Sequence, residues 1–296
     1  PLGVAAAAAH DVAGAPIDEV STAERVSHDR LELRGACLDI AFDPVARSYT
    51  RGAAHMPPPP PQDLTISMRA LSRRERLGSE IECKIWPAAA ILSRWLWLHP
   101  WLLRGCHALE LGAGVGMVGL AASACGAASV LITDINGKAL STARDNCRLN
   151  APLVAAAARV ARLGWGELPE ADAAADGGDE PSVWCAATDA ALEPPHAGHA
   201  LLRRYDVVLA ADVVNADGLP ELMLGAVERY LAPDGLFVMC APRPRHRHTV
   251  GELRGRLVSH DRLDVRVSPV PRALGAGIDE TDVVAHELYH AQWKRN

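Results

Sequence analysis

Glycines and carboxylates lie close together in the middle of the chain, at spacings that suit a small-molecule site. Gly112, Gly114 and Gly116 follow a short apolar run. Glu110 lies within that run, and Asp134 ends a second apolar run 22 residues after Gly112. Glycine lets the backbone turn tightly or approach a ligand closely. A carboxylate at the end of the neighbouring parallel strand can accept hydrogen bonds from both ribose hydroxyls. The pattern predicts a site for an adenosine-containing cofactor; a plain buried turn with a solvated aspartate is the alternative.

Charge separates two kinds of adenosine cofactor. The spacing Gly114-x-Gly116-x-x-Gly119 also satisfies the dinucleotide fingerprint. A dinucleotide would bring a doubly negative pyrophosphate, which the Glu110 carboxylate would repel. S-adenosylmethionine brings a sulfonium, an ammonium and one carboxylate, which suit that carboxylate better. No Lys or Arg lies between Glu110 and Ala124 to offset it, so the sequence favours S-adenosylmethionine.

Composition narrows the class of protein. The 296 residues carry a formal net charge of -6, whereas a general nucleic-acid binder is basic. The seven cysteines are odd in number and form no Cys-x-x-Cys, which favours reduced thiols in an intracellular protein without a disulfide framework or a metal site. No apolar run approaches the roughly 20 residues that span a bilayer. We therefore expect a soluble, cytoplasmic protein with no membrane or nucleic-acid partner; its oligomeric state is left open.

The order of apolar runs predicts one α/β domain behind an N-terminal extension. The extension covers residues 1–77 and contains five consecutive prolines, Pro57 to Pro61, which favour a stiff spacer. The domain covers residues 78–296, and its segment 167–199, rich in Ala, Asp, Gly and Pro, fits a surface insertion. From Cys106 strands and helices alternate, as in a parallel sheet with crossover helices. Strands are predicted at 30–40, 62–70, 107–111, 129–133, 158–163, 206–210, 235–240, 263–267 and 283–293, and helices at 87–103, 117–124, 137–150, 219–231 and 249–258.

An ordered set of motifs resembles the S-adenosylmethionine-dependent methyltransferases that modify lysines of non-histone proteins, such as the elongation-factor and chaperone lysine methyltransferases. The resemblance runs from about Gly78 to the C-terminus and implies a Rossmann-like class I methyltransferase fold, with a mostly parallel seven-stranded sheet and helices on both faces. It also implies a protein substrate. The motifs are Ile85-Trp-Pro-Ala-Ala-Ala-Ile-Leu92, Leu109-Glu-Leu-Gly-Ala-Gly-Val-Gly-Met-Val-Gly-Leu120, Thr133-Asp134, Asn146-x-x-x-Asn150, Trp165-Gly166 and Tyr205-Asp-Val-Val-Leu-Ala-Ala-Asp-Val-Val214.

The same resemblance implies roles for individual residues. Trp86 would line the methionine end of the cofactor, and Trp165 would pack on the adenine, as suits a broad aromatic face. Ala211 would contact the cofactor from the end of the fourth strand of the domain, and Asp134 would hold the ribose. The predicted cofactor-binding residues are Trp86, Glu110, Gly112, Ala113, Gly114, Gly116, Asp134, Trp165 and Ala211.

Asp212 is the predicted catalytic residue. It follows a parallel strand at the end where such folds bind ligands, and a carboxylate there can orient an amine acceptor by hydrogen bonding. A helix-capping or turn role is the alternative. The family usually carries Asp-x-x-Tyr here, and this chain has Asn215 in place of the tyrosine; Gly164 likewise replaces an acid common before the tryptophan.

Three functions follow as hypotheses. Lysine methylation of a protein leads, and methylation of a small molecule or a cofactor-binding scaffold without turnover are the alternatives. The loop from Arg243 to His248 is rich in Arg and His. It could recognise an acidic patch on a protein substrate or simply be a solvated loop.

Overall fold

The computed structural model describes residues 26–33, 64–71, 84–154, 157–166, 183–192 and 200–295. The strands of these residues are β1 Val26–Leu33, β2 Leu64–Leu71, β3 His107–Leu111, β4 Ser129–Asp134, β5 Ala158–Arg162, β6 Trp184–Cys185, β7 Ala190–Ala191, β8 Tyr205–Ala211, β9 Leu231–Pro242, β10 Leu263–Pro269 and β11 His286–Trp293. Their α-helices are α1 Pro87–Leu98, α2 Met117–Ala124, α3 Gly137–Leu149, α4 Ala151–Val154, α5 Leu219–Tyr230, α6 His248–Val258 and α7 Glu280–Val284.

The central sheet has the strand order β10-β11-β9-β8-β3-β4-β5-β6-β7. Strands β5, β4, β3, β8 and β9 run parallel, and β11 and β10 close one edge in antiparallel pairing. After β3 the chain adds β4 and β5 on one side and then β8 and β9 on the other. This reversal of strand order leaves a crevice at the carboxyl ends of β3, β4 and β8. This is the Rossmann-like class I methyltransferase fold that the resemblance implied, with nine strands in the sheet where seven were predicted.

The two additional strands come from the predicted surface insertion. Val160 pairs with Trp184, and β6 turns back into β7, so residues 183–192 extend the sheet edge as a hairpin. Val183 and Trp184 are buried. The sequence did not predict these strands because the short apolar run Val-Trp-Cys is surrounded by Ala, Asp, Gly and Pro. Most of the rest of the insertion lies outside the described residues.

Apolar residues cover both faces of the sheet. Along β3, Ala108 faces the layer of α1, α2 and α3, whereas Leu109 and Leu111 face the layer of α5 and α6. Strands buried on both faces read as continuous apolar runs, which is why β3 and β4 were predicted with nearly correct ends. Helix α1 ends at Leu98 rather than at residue 103, and a 3-10 turn at Pro100–Leu102 follows, since a proline disfavours helical geometry in the preceding residue.

Strand β2 belongs to the segment predicted as an extension but packs on the domain. Asn146 of α3 pairs with both the N–H and the C=O of Arg69, at 2.6 and 3.0 Å. One turn later Asn150 does the same for Ser67, at 3.0 and 2.7 Å. The two side-chain amides thus hydrogen-bond the backbone of β2 much as a neighbouring strand would. Ile66 of β2 is fully buried. This gives a structural reason for the Asn-x-x-x-Asn spacing.

Other predictions fall partly or wholly outside the described residues. The predicted spacer of five prolines lies wholly outside them. The predicted strand 30–40 lies outside them beyond Leu33. Among the described helices, none is long and apolar enough to cross a membrane.

Candidate active site

A cavity of about 380 Å³ lies at the carboxyl ends of β3, β4 and β8. The residues that line it come from segments far apart in sequence, from Lys84 just before α1 to Leu222 in α5. Nine of the ten predicted site residues are among them: Trp86, Glu110, Gly112, Ala113, Gly114, Asp134, Trp165, Ala211 and Asp212. Gly116 is the exception; it precedes α2 with a φ of 83° and serves the turn rather than the cavity wall.

The glycine loop is fastened to the end of β4. The Ala113 N–H donates to the carbonyl of Thr133 at 2.8 Å, and the Gly114 N–H donates to the Asp134 carboxylate at 2.8 Å. The other carboxylate oxygen of Asp134 accepts from the Asn136 N–H at 2.9 Å. These bonds hold the loop and the carboxylate side by side on the cavity wall, as the spacing of the glycines and the aspartate predicted.

Gly112 is where the backbone leaves no room for a side chain. Its φ is 64°, and a Cβ added there would lie 2.7 Å from Cγ1 of Val213 and 3.3 Å from Cζ2 of Trp165. The requirement for glycine is therefore both conformational and steric. The loop after β3 thus passes directly against the loop after β8 and the tryptophan after β5.

Glu110 is almost completely buried, with 2% of its surface exposed. One of its oxygens accepts from the Gly119 N–H in α2 at 2.8 Å, and a Cβ on Gly119 would lie 2.7 Å from that oxygen. Burial raises the pKa of Glu110 to about 8, against the hydrogen bond from Gly119, and the charge of Asp134 adds to the rise. Near pH 7 the carboxyl is therefore mostly protonated, so the charge argument from the sequence holds only when a cation in the cavity favours its ionised form.

Asp212 forms an ion pair with Arg247 inside the site. The Arg247 Nη1 contacts one carboxylate oxygen, and Nη2 lies 3.5 Å from the other. Only 4% of the Asp212 side chain is exposed. Burial raises the pKa of Asp212, while the positive charges of Arg247, His286 and Lys84 oppose that rise.

The backbone of Asp212 is as unusual as its contacts. Its φ is 56°, in the left-handed region that side-chain-bearing residues seldom occupy. Its N–H donates to the Cys240 carbonyl at 2.9 Å. The next helix, α5, begins only after Gly218, so a capping role for Asp212 is ruled out. Asn215 lines the same cavity from an exposed position.

Two lining residues have side chains that the sequence reasoning overlooked. Lys84 stands just before α1, and its Nζ lies 3.4 Å from the centre of the Trp86 ring. Ile135 follows Asp134 and is 59% exposed, unusually so for a large apolar side chain. The signal for Ile135 was available, because an apolar residue directly after a strand-ending carboxylate sits at the carboxyl edge of the sheet. For Lys84 no local pattern exists, since the chain folds back over some 130 residues to bring it near Asp212.

The Arg- and His-rich loop divides into an inward and an outward part. Arg247 turns inward to Asp212, whereas Arg245, His246 and His248 are exposed. His248 contacts Asp217 at 2.9 Å on the surface. The loop does reach the face of the sheet that carries the cavity.

The fold is that of the class I methyltransferases, and the cavity lies at the edge of the sheet where such folds bind ligands. Within this class the chain resembles the protein-lysine methyltransferases, and comparisons with known proteins confirm the resemblance: a family model described as lysine methyltransferase matches residues 66–177. That match begins within β2, in agreement with the packing of this strand on α3.

Three relatives illustrate the similarity. Mouse protein N-lysine methyltransferase METTL21A is 43% identical over 84 residues, covering 28% of this chain and 38% of that protein. Mouse EEF1A lysine methyltransferase 3 is 29% identical over 180 residues, covering 60% and 63%. Mouse histone-arginine methyltransferase METTL23 is 37% identical over 87 residues, covering 28% and 32%. The chain thus spans about a third of the length of the first relatives it matches.

Proposed function

We propose that this protein is an S-adenosylmethionine-dependent methyltransferase that modifies a lysine side chain of a non-histone protein. The observation that carries the proposal is one cavity at the carboxyl ends of β3, β4 and β8. Three features line this cavity: the glycine loop, the Asp134 carboxylate proposed to bind the ribose, and the buried carboxylate of Asp212.

The residues present fit the cofactor. Gly112 and Gly114 present backbone to the cavity, and Asp134 presents a carboxylate there that suits ribose hydroxyls. Trp165 and the exposed Ile135 offer apolar surface for a flat base. The methionine end of the cofactor is cationic. The aromatic face of Trp86 and the Glu110 carboxyl, which can ionise, both suit such an end.

At Asp212 the protein would receive the acceptor. When bound, the cofactor supplies an electrophilic methyl group on a positively charged sulfur, and what remains for the protein is to align the nucleophile and exclude water. An amine acceptor must lose its proton first, and a desolvated position lowers the pKa of an amine. Asp212, itself buried, can orient that amine by accepting a hydrogen bond.

The choice of lysine is supported by the family model and by the names of METTL21A and EEF1A lysine methyltransferase 3. Arginine is the acceptor named for METTL23. The small-molecule and scaffold hypotheses also stay open to test, the latter because Asn215 replaces a tyrosine. A cytoplasmic site of action belongs to the same proposal, since the described residues contain five free cysteines, as suits a reducing compartment.

The test is to incubate the purified chain with cell lysate and S-adenosylmethionine labelled in its methyl group. We expect a labelled protein band whose hydrolysate contains methyllysine, and excess S-adenosylhomocysteine should suppress the label. Methylarginine in the hydrolysate would show that arginine, not lysine, is the acceptor. Label found only in extractable metabolites would favour a small-molecule substrate. Cofactor binding without any transfer would leave the scaffold hypothesis.

A further inference from the structure

One of the chain's own lysines lies in the cavity. The sequence contains three lysines, Lys84, Lys138 and Lys294. Of these, Lys84 alone lines the cavity that also holds Asp212 and the glycine loop. The Nζ of Lys84 lies 3.4 Å from the centre of the Trp86 ring.

This contact holds the Lys84 amine in the cavity that the proposed cofactor would occupy. An aromatic face attracts an ammonium, and the same interaction is used to recognise lysine and methyl-lysine. Trp86 itself is predicted to line the methionine end of the cofactor. The positive charge of Lys84 is also among those that oppose the burial-driven rise in the pKa of Asp212, so the amine and this carboxylate act on each other across the cavity.

We propose that Lys84 is itself a methyl acceptor, modified within the same chain. The proposal rests on the proposed methyltransferase function. The Lys84 ammonium loses a proton to water, and the lone pair of Nζ forms the new N–CH₃ bond. The S–CH₃ bond breaks with its electron pair on sulfur, which leaves a neutral thioether. The sum is one methyl group gained by Lys84 and one proton released.

The other two lysines are internal controls. Lys138 is an exposed residue in the first turn of α3. The Nζ of Lys294 donates to the carbonyl of Asp261 at 2.7 Å, beyond the end of β11. Neither lines the cavity. An amine held beside the donor has an effective concentration far above that of any lysine reached by diffusion, so modification should favour Lys84 strongly.

The first experiment incubates the full chain alone with S-adenosylmethionine and maps methylation by mass spectrometry of peptides. We expect methyl groups on Lys84 and none on Lys138 or Lys294. The rate per chain should not change when the protein concentration is varied tenfold, because the transfer is intramolecular. Lys84→Arg should abolish the modification, whereas Lys138→Arg and Lys294→Arg should not.

The second experiment does not depend on turnover. An amine-acylating reagent is applied with and without saturating S-adenosylhomocysteine, and the three lysines are followed separately. We expect S-adenosylhomocysteine to slow the acylation of Lys84 at least fivefold, while the acylation rates of Lys138 and Lys294 change less than twofold. Equal protection of all three, or none, would place the Lys84 amine away from the bound cofactor and overturn the proposal.

The two proposals can fail separately. Unmodified Lys84 in a chain that methylates a protein in lysate overturns the inference on Lys84 and leaves the methyltransferase function standing. Absence of both transfer and S-adenosylhomocysteine binding removes both. Methylation of Lys84 at a rate proportional to protein concentration contradicts modification within one chain.

Discussion

Arg247 contacts the carboxylate of Asp212 with both of its terminal nitrogens, so the residue predicted to receive the acceptor is already ion-paired. The two side chains come from the loops after β9 and β8, which lie side by side in the sheet. An acceptor amine entering the cavity must therefore share the carboxylate with Arg247 or displace it. This relationship yields the first test.

Replacing Arg247 with Leu should destabilise the protein by about 1–3 kcal/mol, because it leaves a carboxylate buried without its cation. This is less than the roughly 3–5 kcal/mol expected for a fully buried pair, since the Arg247 side chain is 24% exposed. Loss of its charge should also raise the pKa of Asp212, so the acidic limb of the pH–rate profile should move to higher pH. Urea denaturation and kcat/KM against pH measure the two effects. Arg245→Leu, an exposed change in the same loop, should alter stability by less than about 0.5 kcal/mol; an equal loss in both variants would contradict the role of the ion pair.

Asp212→Asn should reduce methyl transfer by about 100-fold or more, because a neutral amide orients an amine less strongly than a carboxylate does. Binding of S-adenosylhomocysteine should change less than transfer does. Calorimetry and initial rates give the comparison, with the exposed Asp217→Asn as the control. If affinity and rate fall together, Asp212 serves cofactor binding or folding instead.

Asp134→Ala should weaken cofactor affinity by about 1–3 kcal/mol through loss of charged-acceptor hydrogen bonds. The same carboxylate holds the Gly114 and Asn136 N–H groups, so the melting temperature should fall as well. Asp134→Asn keeps one acceptor oxygen and should lose less of both. Calorimetry with S-adenosylhomocysteine decides; unchanged affinity in the alanine variant would refute the ribose assignment.

Gly112→Ala should abolish measurable cofactor binding, since the new Cβ would lie 2.7 Å from Val213 and the residue has a φ of 64°. Gly105→Ala is a matched control: its φ is 72°, and a Cβ there would meet nothing within 4 Å. The control carries a similar backbone cost of about 1 kcal/mol without the close contact. Binding titrations of both variants test this difference, and equal affinities would show that the close contact at position 112 does not matter for cofactor binding.

Glu110 makes stability depend on pH. Its folded pKa, raised to about 8, exceeds the usual value near 4.3, so the folded state holds a proton that the unfolded state releases. The contribution is complete below the unfolded pKa and is lost as pH rises toward 8, at up to about 1.4 kcal/mol per pH unit. Denaturation from pH 5 to 8.5 should show this slope in the parent chain and a flatter one in Glu110→Gln. Glu252→Gln, on the exposed side of α6, should keep the slope; a slope unchanged by Glu110→Gln would assign it to another group.

The sequence alone determined the elements and most of the site. Strands β3 and β4 are continuous apolar runs buried on both faces, and Gly112, Gly114 and Asp134 mark where they end, so period and spacing sufficed. Neighbouring parallel strands end at the same edge, which is why residues 22 positions apart could be predicted to meet.

Only the tertiary structure decided how the distant residues meet and in which charge state. Lys84, Asp212 and Arg247 converge because separate loops end at one edge of the sheet, and no local periodicity encodes that convergence. The protonation of Glu110 depends on its burial in the folded protein, and the pairing of β6 with β5 depends on a free sheet edge. Charge state and edge pairing are properties of surroundings that exist only after the chain has folded.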